Sequence, residues 1–292
     1  MRVSDRMIFA NATRHAGDAR ARVEKAAAET ATGVRVRHPG DDPAAMGQLV
    51  AGTAALARYE SIRQAADGAH DELVQADAAL GSVATMVRRA EQLAVQLAND
   101  TYDARARAAA ASEVEALIEG ITAALNTSHG GRHLFGGTNA SVPPFETDGT
   151  FHGDGGARLV EIAPGVFEDV APSAVAITGS GGSPSLHAVL SGLATALAGN
   201  DVAGIRAAIQ DVGEVGSRIA GERARLGGSM QVLETASAVA LEGRDAAKGL
   251  VARLTEADVV EAASELALSQ RALEAALSAA AQSFRLTLLD EL

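Results

Sequence analysis

The chain has 292 residues with no cysteine, no tryptophan and only 3% aromatic residues, although 47% of it is apolar. Alanine supplies much of that apolar content, which suits close helix–helix packing better than the bulky core of a compact enzyme. A net charge of −12 argues against phosphate backbones or anionic membranes as main partners. The absence of cysteine excludes a disulfide framework, a thiol nucleophile and a thiolate metal site.

The opening MRVSDRMIF has no apolar h-region, so no Sec-type signal peptide is expected, and no uninterrupted apolar run is long enough to span a bilayer. From Ser4 to about Ala31 the composition is helical, yet Val23 is the only large apolar residue between Phe9 and Lys25. Such a helix buries little alone and needs a partner. The stretch GVRVRHPGDDPAA, residues 33–45, then interrupts it. Val34 to Arg37 reads as extended, His38-Pro39-Gly40 as a turn. Asp42 is placed to cap the next helix, with Pro43 in its first turn, where a missing N–H costs nothing. Gly33, Pro39, Asp41, Asp42 and Pro43 therefore mark a boundary turn and helix cap.

A helix is expected from Pro43 to about Ile62 and another from Asp67 to Asn99. In the second, Leu73, Ala76, Leu80, Val83, Val87, Ala90, Ala94 and Leu97 alternate three and four apart, the spacing of a coiled-coil seam. Asn99-Asp100-Thr101 breaks it, and Val114, Leu117, Ile118, Ile121 and Leu125 form the returning helix of an antiparallel pair. Between His129 and about Pro184 the period changes. Five of the seven prolines gather there among glycines and short Val/Ile/Phe segments, which predicts strands and hairpins. Helix returns at Ser185, with Leu186, Val189, Leu190, Leu193 and Leu197 on one face. A second seam runs from Val202 to Leu254, interrupted at Gly216, Arg223, Ser237 and Arg244. Thr255 is the expected N-cap of a final helix, with Asp258 as the acidic partner of a capping box. That helix carries Val259, Ala263, Leu266, Gln270, Leu273, Leu277, Ala280 and Phe284 at alternating spacing, with one polar residue in the seam.

The predicted fold is mainly α: an elongated antiparallel helical bundle or coiled coil from N- and C-terminal halves, with a small β-rich insertion. Its expected divisions are an N-terminal assembly helix and extended linker (1–42), two halves of a helical rod (43–135 and 185–254), the insertion (136–184) and a C-terminal assembly helix (255–292).

Motifs for chemistry are scarce. His129, His133 and His152 with Asp148 and Asp154 make the most metal-like group, but Gly130-Gly131 breaks the helix that a four-residue histidine spacing would need. Solvated or locally bonded loop side chains are the expected reading. No phosphate loop, dinucleotide fingerprint or nucleophile elbow is present, so no catalytic residue, metal or cofactor is expected. Asn126-Thr127-Ser128 and Asn139-Ala140-Ser141 match the glycosylation acceptor pattern, which arises often by chance. Arg88, Arg89, Arg218, Arg223 and Arg225 read as a solvated helix face.

Weak helices at both ends, flanking a helical middle with an inserted β module, follow the plan of flagellin-like proteins. TGVRV and DDPAA (within Thr32 to Ala45), GGRHLFGG (Gly130 to Gly137), PPF (Pro143 to Phe145) and the closing LALSQRALEAAL and LTLLDEL resemble the hook-associated protein 3 family, the hook–filament junction proteins. The resemblance implies a non-enzymatic structural component of the bacterial flagellum, exported through the flagellar type III apparatus to the cell exterior. It implies self-association in a tubular lattice, with hook-associated protein 1, flagellin and an export chaperone as partners, and neither nucleic acid nor membrane. A minor flagellin is the alternative; a ligand-binding or enzymatic helical bundle is a remote one. Val3, Met7, Val259, Leu266, Leu273, Leu277, Phe284 and Leu289 are the expected assembly interface.

Overall fold

The structure, a computed structural model, describes residues 2–179 and 183–289, with side chains at all of these but 2–6, 8–9 and 282–289. In chain order the elements are α1 (Arg2–Thr32), α2 (Pro43–Leu97), α3 (Ala104–Leu125), β1 (Ser128–His129), β2 (Arg132–His133), β3 (Leu159–Ala163), β4 (Val166–Asp169), α4 (Val175–Thr178), α5 (Leu186–Ala198), α6 (Val202–Thr255) and α7 (Val259–Leu289). They divide into two compact units, one of residues 1–57 with 243–292, the other of residues 58–242. No helix among the described residues is long and apolar enough to cross a membrane.

In the 58–242 unit, segments of α2 and α6 share one core with α3, α5 and the insertion. All eight predicted seam residues of α2, from Leu73 to Leu97, are buried. Their three-four spacing follows one stripe of a 3.6-residue helix, so burying one buries all. Ile205, Val212, Ile219, Leu226, Leu233 and Ala240 of α6 are buried at intervals of seven, and all five predicted residues of α5 are buried too. Where the sequence anticipates separate helices before and after residues 63–66, α2 is continuous. Alanine there favours helix, and Arg63 spans the junction with ion pairs to Glu60 and Asp67. Gly227-Gly228 likewise lies inside an unbroken α6.

Two of the interruptions in the α6 seam, Arg223 and Ser237, make bonds to α2. Arg223 reaches Asp77 of α2 through two contacts of 2.8 and 2.9 Å, and the Ser237 hydroxyl donates to Asp67 at 2.6 Å. Arg89 pairs with Glu113 of α3 at 2.6 Å. Glu222 is buried, accepts the Ser173 N–H and pairs with Arg225, which itself donates to the Ala171 carbonyl. So several arginines expected on a solvated face instead hold α6 to α2 and to the insertion.

At one end of this unit, Arg107 is buried at 3% exposure and donates to Leu97 O, Asn99 O and Asn200 Oδ1 at 3.0, 2.9 and 2.5 Å. The carbonyls closing a helix lack intrahelical partners, and a cation there also meets the negative end of the helix dipole. Asn200, in the left-handed region at φ 54°, turns the chain between α5 and α6 within reach of the same guanidinium.

The insertion consists of hairpins and loops. β1 and β2 pair antiparallel, Ser128 with His133, and Gly130 and Gly131 both have positive φ, as a two-residue hairpin turn requires. β3 and β4 pair with Leu159 opposite Asp169 and a bulge between Glu161 and Ala163. Phe135 of the LFGG motif is fully buried, and the Phe145 and Phe151 rings stack tilted with centroids 5.0 Å apart.

Candidate functional site

In the other unit the two terminal helices are each other's partner: α1 packs against α7. Ala12, Ala16, Ala19, Val23, Ala26 and Thr30 of α1 are buried or half-buried at alternating spacings of four and three. Ala262, Leu266, Ser269, Leu273, Ala276 and Ala280 of α7 answer with the same alternation. Since α1 ends where α7 begins, the pair is antiparallel. Small side chains permit close approach but remove little apolar surface from water, about 0.8 kcal/mol per buried methyl-sized group. The pairing is therefore weak.

The expected assembly residues separate on this geometry. Leu266 and Leu273 are half-buried against α1, whereas Met7 (61% exposed), Val259 (58%) and Leu277 (54%) face solvent in the single chain. Val260 and Leu268 are exposed as well. The side chains of Val3, Phe284 and Leu289 lie outside the described residues. The stripe in the sequence is thus wider than the seam α1 covers.

The roots of the two helices meet. Gly33, at φ 68°, ends α1 by donating its N–H to Glu29 O at 2.8 Å, a conformation that glycine adopts without a Cβ penalty. Beyond it, Val34 bridges antiparallel to Glu256: Arg35 N–H donates to Thr255 O at 2.7 Å and Ala257 N–H to Gly33 O at 2.9 Å. The Arg35 side chain donates to Leu254 O at 3.1 Å and pairs with Asp42 at 3.2 Å.

The two aspartates of GVRVRHPGDDPAA divide the work. Asp41 accepts the N–H groups of Arg37 and His38 at 3.0 and 2.8 Å and gives its own N–H to His38 O, closing the turn around Pro39. Asp42 Oδ1 accepts the Ala45 N–H at 3.0 Å as N-cap of α2, which starts at Pro43, while its Oδ2 takes Arg35. Both carboxyls are held below the ordinary carboxylate range, Asp41 chiefly by the His38 N–H and Asp42 chiefly by the Ala45 N–H. One expectation is corrected here. Thr255 is the last residue of α6, its hydroxyl donating back to Val251 O at 2.8 Å, and Asp258 caps α7 by accepting the N–H groups of Val260 and Glu261. The Val34 to Glu256 bridge takes the backbone at Thr255, so the shorter Asp258 cap prevails.

In and beside the insertion, four of the five metal-like residues have local duties. His133 Nδ1 lies 2.8 Å from Asn126 O, and His152 pairs with Glu146 at 2.7 Å. Asp148 accepts the Thr150 N–H. Asp154 accepts from the Thr138 N–H, the Thr138 hydroxyl and the Gly156 N–H, and these donors, the hydroxyl first, lower its carboxyl to about 2. No group of three or more His, Asp or Glu among the described residues could hold a metal ion. Asn126 exchanges both ends of its amide with the backbone of Phe145, at 2.8 and 3.0 Å, and so serves as a loop anchor. An apolar cavity of about 210 Å³ lies between α3, α4 and α5. The hydroxyls of Thr122 and Thr178 on its wall each donate to the backbone carbonyl four residues back, Ile118 O and Ala174 O.

Residues 3–140 match the family described as the bacterial flagellin N-terminal helical region. The flagellar hook-associated protein 3 of Escherichia coli (strain K12) is 28% identical over 149 residues, 51% of this chain and 47% of that protein. The chain thus matches about half the length of that curated relative. Two solved structures share the fold. FlgL of Bacillus cereus superposes with a TM-score of 0.57 at 21% identity, over 68% of this chain and 97% of that one. The flagellar junction protein FlgL of Legionella pneumophila does so with a TM-score of 0.56 at 12% identity, over 72% and 100%. The chain is therefore similar to flagellar hook-associated protein 3 over about half its length, shares the fold of the solved FlgL structures, and matches the flagellin N-terminal helical region over residues 3–140.

Proposed function

We propose that this chain is a structural subunit of the bacterial flagellum that joins the hook to the filament; its similarity to a flagellar hook-associated protein of Escherichia coli and to a flagellar junction protein of Legionella pneumophila supports the reading. The observation that carries the proposal is the weak pairing of α1 with α7, which leaves Met7, Val259 and Leu277 exposed. A helix pair held by alanines gains most from neighbours that cover its remaining apolar flank. Neighbouring copies would do so through heterologous contacts, since only head-to-tail interfaces propagate a ring or tube. Met7, Val259 and Leu277 then face the neighbours, while Leu266 and Leu273 hold the pair they dock against; Val3, Phe284 and Leu289 are assigned to the same assembly interface. Gly33, Pro39, Asp41, Asp42 and Pro43 form the boundary at which the assembling helix gives way to α2.

On this reading hook-associated protein 1 lies on one side and flagellin on the other, and a chaperone guards the chain until its export to the outside of the cell. Assembly then completes an ordering that the weak α1–α7 pair begins in the free chain. The protein's task on this reading is mechanical. Deleting its gene should leave cells with hooks but no filaments, and the intact gene should restore both filaments and swimming. The match to the flagellin N-terminal region favours a second reading, a minor flagellin. Filaments of normal length on the deletion strain would support that reading and overturn the first.

A further inference from the structure

Arg35 touches two helix ends at once. Its backbone N–H and one guanidinium nitrogen occupy the carbonyls of Thr255 and Leu254 at the C-terminus of α6, where orphan carbonyls and the negative end of the helix dipole attract a cation. Its other guanidinium nitrogen holds Asp42, whose second oxygen caps α2. Between these contacts, Val34 pairs with Glu256, fixing the last turn of α1 beside the first turn of α7. The linker after α1 and the linker before α7 are thus tied into one short antiparallel clasp, with Arg35 as its only side chain reaching both linkers' helices among the described hydrogen bonds.

We propose that Arg35 is a positioning residue that makes the two terminal helices order and disorder together. Neither helix holds itself: α1 buries chiefly alanine, and α7 buries Ala262 and Ser269 with two half-buried leucines. A weak antiparallel pair gains from having its roots already joined, because the cost of bringing the two segments together is then met once, at the clasp. Opening the clasp releases both helices, and closing it presents both to a neighbour in a set register. The inference rests on contacts within the chain and stands whether the assembled structure is a junction or a filament.

Millisecond-quench hydrogen exchange on the full-length monomer tests it, read over residues 19–31, residues 262–273 and, as an internal reference, α5. In the natural chain the two terminal segments should show measurable and closely matched protection. Arg35→Ala should reduce protection in both by about five- to tenfold, the range of one partly exposed charged contact set, with α5 unchanged. Asp42→Asn separates the clasp from the helix cap, since asparagine caps as well as aspartate but carries no charge for Arg35. It should loosen both terminal segments while the first turn of α2 keeps its protection. Loss confined to one helix, wild-type protection of both in Arg35→Ala, or no protection of either in the natural chain would each overturn the proposal.

Discussion

Replacing Leu273 by aspartate attacks the α1–α7 pair at its least replaceable contact. Leu273 and Leu266 are the largest side chains in the described seam of α7, and the facing positions of α1 are mostly alanine. Fully burying a leucine is worth about 1.5–3 kcal/mol, so this half-buried one contributes about 1 kcal/mol. Aspartate adds about 0.5 kcal/mol in lost helix propensity and about 1 kcal/mol for pressing a carboxylate against apolar methyls. The total, about 2–3 kcal/mol, raises the open population of the pair roughly 30- to 150-fold. The core of residues 58–242 contains none of these contacts and should be untouched. Limited proteolysis should therefore cut Leu273→Asp rapidly within residues 12–30 and 262–280 while a fragment covering residues 58–242 survives. A strain carrying only this variant should swim no better than the deletion strain. Normal filaments on such cells, with wild-type protease resistance of both ends, would refute the reasoning.

Three further outcomes follow from the same contacts. Arg107→Met removes the donor to buried Leu97 O and to the more exposed Asn99 O and Asn200 Oδ1, which should lower stability by about 1–3 kcal/mol in urea titration of the full chain. Asn126→Ala removes both bonds to Phe145 and should cost about 1–3 kcal/mol, with faster proteolysis at residues 143–151 and α5 still protected. Asp41 and Asp42 have folded-state values below those of the unfolded chain, so the unfolded chain binds more protons. The stability they contribute is then present above the unfolded carboxylate value of about 3.9 and is lost as pH falls through the lower folded values. Exchange at Arg37, His38 and Ala45 should stay slow from neutral pH to about 4 and rise below it, after correction for intrinsic rates; the same onset in Asp42→Ala would count against the assignment.

Much of the helical architecture was legible because it rests on periodicity. The stripe from Leu73 to Leu97 and the leucines of α5 are spaced so that a helix brings them to one face whatever they pack on. Turn chemistry was equally readable at Asp42-Pro43 and at Gly130-Gly131, where cap and hairpin are set by the residues themselves. Thr255 misled because a hydroxyl can cap the next helix or bond back to its own, and the choice depends on the bridge to Val34, over 200 residues away. Arginines mislead for a similar reason. Nothing local distinguishes Arg107, which is buried, from Arg105, which is exposed.

The sequence by itself determined where this chain is helical, where it turns and which stripe of each central helix is buried, since these depend on neighbours three or four residues apart. It also carried the motifs that resemble flagellar junction proteins. Tertiary structure alone decided that the two weak ends pair with each other, which flank of α7 that pairing uses, and that Arg35 joins their roots. Those outcomes depend on which distant surfaces compete for the same alanine face and the same carbonyls, and that competition is resolved only when the chain is folded.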